Sequence, residues 1–275
     1  MSMRVCMYLV QVNSSRCDTH HNHHLALISL CCFTILSRIT YGALIGRASP
    51  LQMMIICVSQ SFFYAFNKVI MVLGFIHAED VGGSMTIHMF GAYFGLACSY
   101  ALGGPDGTEH ELMLPDKVSD IMALIGTTIL WVFWPSFVGA TETGIEGNEY
   151  HCVMNTILAL IASTTMTFYM TFNLNRGKFD PIHIANSTLA GGVAIGSAGR
   201  LNIGPGAAIL TGSLGMWEFG RSFRSFDVCP ILKFSYISLS CSFSIISRFG
   251  KCLWLSIQFA LLRIETWYFR YVRCL

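Results

Sequence analysis

Residues 80–100 read DVGGSMTIHMFGAYFGLACSY, from Asp80 to Tyr100. The stretch is almost wholly apolar or small, and one imidazole, His88, stands near its middle. About 20 such residues are what an α-helix needs to cross the roughly 30 Å hydrocarbon core of a bilayer. Asp80 stands where an N-cap belongs, and a turn of small residues follows it. At helical spacing Ser84, His88, Gly91 and Gly95 share one face. Apart from the histidine that face is small, and Gly91-x-x-x-Gly95 is the shortest form of the pattern that lets membrane helices approach closely. An ionisable group at such a depth is costly, which makes His88 a candidate functional residue.

The rest of the chain has the same character. Of 275 residues, 53% are hydrophobic and only 12% charged, against about a quarter charged in soluble domains. The mean hydropathy is +0.57. The expected fold is therefore all-α, a polytopic transmembrane helix bundle embedded in a lipid bilayer. A net charge of +2 offers no basic face for nucleic acid. The 11 cysteines are scattered without a C-x-x-C pair, so neither a zinc site nor a disulfide framework is expected, and buried thiols pack as small hydrophobes. His20, His21, His23 and His24 form a short biased tract, read as an exposed segment and not as a metal site. No cofactor is expected, and no residue is singled out as catalytic: nothing in the spacing marks an enzyme.

Six apolar stretches read as spans: 25–46, 51–76, 80–100, 119–140, 151–174 and 180–199. Arg38 interrupts the first, and Gln60, Asn67 and Lys68 in the second must face the bundle or reach an interface. His77-Ala78-Glu79 makes a very short connection between the second and third. Polar loops fall at 103–118 and 141–150. Arg47 and the Arg176/Lys178 loop share one side of the membrane under alternating topology, opposite the acidic loop, as the positive-inside rule asks. Pro135 predicts a kink or break near the end of the fourth span. Trp131, Trp134 and Phe137 lie along one face of that span and read as an interfacial belt. His183, three positions after Asp180, reads as a structural contact to it. After residue 216 the glycine- and alanine-rich pattern gives way to serine, phenylalanine, cysteine and arginine, and at most one poor span can be drawn there.

AEDVGGSMTIHMFGAYFGL, IGTTILWVFWPSF and GKFDPIHIANSTLAGGVAIG together resemble the Rhesus-type branch of the ammonium transporter family. YGALIGRASPLQ and HCVMNTILAL fit the same branch, so the resemblance covers roughly residues 41–216. It implies part of an eleven- or twelve-helix bundle built as an inverted repeat, about six to seven of those helices, assembled as a homotrimer in the plasma membrane. It also implies channel-like passage of ammonium or ammonia through a narrow apolar pore in each subunit. His88 matches the first of two pore histidines, Asp80 the family aspartate at the start of that helix, and Phe137 one of two stacked phenylalanines at the outer mouth. Ammonium is strongly hydrated and costly to place among apolar groups, whereas imidazole offers one donor and one acceptor for ammonia or a proton.

The sequence departs from the family in several places. The motif of the second pore histidine is absent, Val138 stands where this branch has Asn, and Phe33 lies near the position of the first gate phenylalanine without its usual neighbours. Lys68 falls near a place where some relatives carry an acid, and a positive charge there repels ammonium. The chain accordingly divides into a non-family leader at 1–24, a partial transporter domain at 25–216, and a non-family tail at 217–275 that reads as the product of a misread gene model. A truncated, non-conducting membrane polypeptide and a carbon dioxide conduit are the alternatives to ammonium transport.

Overall fold

The computed structural model describes residues 19–45, 48–76, 80–102, 117–142 and 147–225. These fall into two compact units. The first holds the described residues before 77 together with 86–102, and the second holds 80–85 with the described residues from 117 onward.

In the first unit, α1 runs Thr19–Leu44 and α2 runs Pro50–Phe66, continued by a π-helical segment Asn67–Ile76. A capping box starts α2. The Ser49 side chain accepts from the Gln52 backbone N–H, the Gln52 side chain accepts from the Ser49 N–H, and Pro50 occupies the first turn, where its missing N–H costs nothing. The helix α3, Phe90–Leu102, packs on α1. The reason is the pair of glycines singled out above. A Cβ on Gly91 would lie 2.9 Å from Leu36, and one on Gly95 would lie 2.8 Å from Ala43. With bare backbone at both places the helices close up, and the Thr40 hydroxyl reaches the Gly91 carbonyl at 3.1 Å. Gln60, fully buried, donates to the Thr40 hydroxyl at 2.6 Å and to the Leu36 carbonyl at 3.2 Å. The polar residue that the sequence requires to face the bundle does so. Lys68 extends along the neighbouring turn, its ammonium 5.8 Å from the centre of the Tyr64 ring.

In the second unit, α4 runs Lys117–Ala140, α5 Asn148–Leu174, α6 Pro181–Gly196 and α7 Pro205–Ser225. Each of α4, α5 and α7 packs on α6, and α5 also packs on α4 and α7. Lipid tails are as apolar as leucine, so close van der Waals packing holds such helices together, not expulsion of apolar surface from water. Small residues supply it: a Cβ on Gly191 would fall 2.5 Å from the Ala159 carbonyl oxygen, and one on Gly212 would fall 2.2 Å from the same atom. Buried hydroxyls and amides bind across helices. Ser163 donates to the Ser187 carbonyl at 2.9 Å, and Asn155 donates to the Gly199 and Leu201 carbonyls at 3.1 and 3.3 Å. Asp180 caps α6 through the Ile182 N–H at 3.0 Å.

Three expectations change. The helix of the opening stretch begins at Ser84, not at Asp80, because Gly82 and Gly83 form a turn, with Gly83 at φ +70°. (Of the kink or break expected at Pro135, the break is absent, and α4 continues through it to Ala140.) Trp134 is buried, and the Trp131 indole donates to the Thr164 hydroxyl at 3.1 Å, so this aromatic face is turned onto α5 and α6 instead of forming a belt. Finally, α7 continues past residue 216 to Ser225, an element that the span reading passed over. The short connection at 77–79, the loop at 103–116, and residues 1–18 and 226–275 lie outside the described residues, and the side chains of the histidine tract are not described.

Candidate functional site

Asp80 leads the second unit's short segment 80–85. Its carboxylate does act as a helix cap, at longer reach than expected. One oxygen accepts the Met85 N–H at 2.8 Å, beyond the glycine turn, and the other accepts the Ser197 hydroxyl at 2.9 Å. The segment is tied to the end of α6 by further bonds. The Gly82 N–H donates to the Gly196 carbonyl at 3.0 Å, and the Ser84 hydroxyl donates to the Val193 carbonyl at 2.6 Å. Val81 packs on the core formed by Trp134, Val138, Cys152, Leu160, Leu189 and Val193.

His88 sits in the π-helical segment Ser84–Met89, which leads directly into α3. It is 2% exposed, so the imidazole is inside the protein and not at a lipid-facing surface. π-Helical turns are rare and concentrate at functional sites. In the first unit α3 continues with an aromatic cluster: Phe90 stacks on Phe94 at 5.8 Å between ring centres and meets Tyr64 edge-on at 5.9 Å.

Phe137 is half-buried on α4, packed on the same core as Val81 and edge-on to Trp134 at 6.5 Å. Trp134 takes its place because Gly192 leaves room, since a Cβ there would stand 2.6 Å from the indole nitrogen. Asp80 and Phe137 thus belong to the second unit, and His88 belongs to the first.

Repeated small residues, a buried imidazole at His88 and an aspartate that caps its helix make a combination that can be compared with known proteins. A family profile described as Ammonium Transporter Family matches residues 26–229. The chain belongs to that family. Among its curated relatives, the ammonium transporter Rh type C of Oncorhynchus mykiss is 42% identical over 179 residues, covering 64% of this chain and 36% of the relative. The ammonium transporter Rh type A of Canis lupus familiaris is 40% identical over 200 residues, covering 71% and 47%. The chain therefore spans less than half the length of these relatives. Among solved structures, Nitrosomonas europaea Rh50, described in connection with conduction by the Rhesus protein family of channels, aligns with a TM-score of 0.82 at 26% identity, over 99% of this chain and 76% of that one. Candida albicans Mep2, at 16% identity and a TM-score of 0.66 over 92% of this chain and 61% of that one, shares the fold.

The protein is thus an Rh-type member of a family of multi-pass integral membrane transporters, with the helical bundle fold of the ammonium transporters. Among the described residues, three helical stretches, Pro50–Ile70, Lys117–Ala140 and Asn148–Leu174, are long and apolar enough to cross a membrane. The sequence reading missed Ser84 and Ser197 as partners. A signal was available in the paired dipeptides Gly83-Ser84 and Gly196-Ser197, each at the end of an apolar helix.

His183 is fully buried, and its Nδ1 pairs with the Thr171 hydroxyl on α5. Its backbone N–H lies 3.4 Å from the Asp180 carboxylate. The structural contact expected between His183 and Asp180 is made by backbone, while the ring engages a different helix.

Proposed function

We propose that this chain contributes to a channel for ammonium or ammonia, with His88 as a pore imidazole. The carrying observation is a buried histidine in a helix of small residues, within a family whose relatives of similar sequence are named ammonium transporters. Ammonium loses its hydration in an apolar channel at a cost that favours passage as ammonia once a proton has been left near the entrance. The imidazole then offers one hydrogen-bond donor and one acceptor to the passing molecule. Phe137 narrows the outer mouth of the pore, and its edge contact with Trp134 fixes its ring. Asp80 holds the start of the His88 helix through the Met85 N–H. The conducting part comprises residues 25–216 in this reading, and the assembled form is a homotrimer in the plasma membrane.

The test is uptake of ammonium or methylammonium in a cell lacking its own transporters, by this chain alone and by this chain replacing the matched part of a full-length Rh-type relative. His88→Ala should lower uptake in whichever form conducts by roughly tenfold or more, the scale of losing a buried hydrogen bond at a transfer step. Unchanged flux after that substitution removes His88 from the pore.

A further inference from the structure

Within the second unit, the end of α4 is closed by residues from three elements. The Thr141 N–H and hydroxyl both reach the Phe137 carbonyl at 3.3 Å, and the hydroxyl also reaches the Val138 carbonyl at 2.9 Å. The Glu142 N–H donates to the Gly139 carbonyl at 3.2 Å. The carbonyls that a helix end leaves without a partner are thus taken in series. The Glu142 side chain is withdrawn from solvent, with only 2% of it exposed. Arg200, in the turn that follows α6, meets it with Nε 3.5 Å from the carboxylate Oε2.

A carboxylate so far from water needs a compensating charge. The charge comes from a segment that is itself held. Asn155, buried on α5, donates through Nδ2 to the carbonyls of Gly199 and Leu201, the two residues that flank Arg200. The Leu201 N–H closes the turn on the Ala198 carbonyl at 2.9 Å. Gly199 lets this turn lie against α4, since a Cβ there would stand 3.3 Å from the Val138 side chain. On its other side the end of α4 meets α5, where a Cβ on Gly139 would stand 2.7 Å from Val153. The ion pair is longer than a good N–H···O bond, so it acts chiefly by charge. It joins two residues that lie beyond the ends of their helices, Glu142 after α4 and Arg200 after α6. Phe137 stands on this closed end, and its carbonyl accepts twice from Thr141, the neighbour of Glu142.

We infer that Arg200, through its ion pair with Glu142, is a positioning residue that fixes the end of α4 and with it the Phe137 ring. For its functional meaning this rests on the reading of Phe137 as the mouth of a pore, but the positioning itself is read without transport.

The experiment places the full chain in detergent micelles with a single trifluoromethyl-phenylalanine in place of Phe137, and records its ¹⁹F resonance. A second preparation carries the label in place of Phe168, which lies on α5 against Phe179 and away from the pair. Glu142→Gln and Arg200→Gln should each move the signal at position 137 and leave the one at 168 in place. The double variant should move it no further than the larger single shift, because both substitutions break one interaction. If Arg200→Gln, which leaves a buried carboxylate alone, gives no folded protein, the double variant carries no buried charge and is compared with Glu142→Gln in its place. An unmoved signal at 137, equal movement at 137 and 168, or a double variant that shows the sum of the two single shifts each overturns the inference.

In the uptake assay both single variants should lower the initial rate, by roughly two- to tenfold, the scale of one lost polar contact. A pair that acted only through its field on an arriving cation would instead change the rate in opposite directions in the two variants, and that result overturns the positioning role. Unchanged uptake in Phe137→Ala overturns the mouth reading and leaves the ¹⁹F result standing, so the two failures are told apart.

Discussion

Helices α4 and α6 lie in one unit and touch each other, yet α4 turns Ile121, Met122, Ile125, Ile129 and Phe133 outward while α6 is buried at every position from Ser187 to Gly196. Both are apolar, so hydrophobicity does not distinguish them. The difference is side-chain size. On α6, Ala190, Gly191, Gly192, Ala194 and Gly196 let three neighbours approach its backbone, and it is surrounded by protein. On α4 the buried side, among the described residues, is the one with Trp134, Pro135, Val138 and Gly139, and its bulky remainder is exposed, as a lipid-facing surface would be. In a bilayer, where apolar surface has no reason to avoid its solvent, the small residues mark the protein-facing helix and the large ones the lipid-facing surface.

The greatest expected effect breaks the outward face of α4. Ile129 lies near the middle of that helix and is 55% exposed. Ile129→Asp should cost about 2.5–3.5 kcal/mol in apparent membrane insertion, measured as the fraction of chains inserted in microsomal membranes. Normal insertion would mean that this surface meets water or protein and not lipid. The next largest effect concerns the close approach to α5. Gly212→Ala on α7 would drive a methyl group to 2.2 Å from the Ala159 carbonyl oxygen and 2.7 Å from its Cα, and backbone cannot swing aside as a side-chain tip can. A loss of roughly 1–3 kcal/mol or more is expected in a denaturation titration in detergent micelles. No loss would show that α5 and α7 stand further apart than described. A smaller effect tests how α6 starts. Asp180→Ala removes the acceptor for the Ile182 N–H and should cost about 0.5–2 kcal/mol, with Asp180→Asn largely restoring stability in the same titration.

Much of this architecture was legible because membrane helices announce themselves by length and apolarity. The stretch 119–140 became α4, and 180–199 became α6, within the few residues by which helix ends usually drift. The close approach through Gly91 and Gly95 followed from their spacing alone. What the sequence could not convey was partner identity. Ser84, His88, Gly91 and Gly95 share a face only if the segment is α-helical throughout, and the π-helical turns at Ser84–Met89 change that rotation. As a result Ser84 meets the end of α6, while Gly91 and Gly95 meet α1. The aromatic face of α4 was misassigned for a related reason. Tryptophan favours both interfaces and buried gaps, and only the presence of Gly192 opposite Trp134 decides between them. Of the site, His88, Asp80 and Phe137 were named from motif, and the hydroxyl bridge that joins Asp80's segment to α6 was not, because Ser197 is remote in sequence from Ser84.

The smallest expected effect is also the cleanest control on the size argument. Gly126 belongs to α4, and nothing lies within 4 Å of the position where its Cβ would stand. Were glycine in these helices merely a tolerated weak helix former, Gly126→Ala and Gly212→Ala would change stability alike. If space decides, they must differ in sign. Gly126→Ala meets no atom and relieves the unfolded chain of glycine's extra freedom, so it should raise stability by up to about 1 kcal/mol in the same titration. A loss at Gly126 comparable to that at Gly212 would mean that a protein surface covers this side of α4, and the division between a lipid-facing and a protein-facing helix would have to be redrawn.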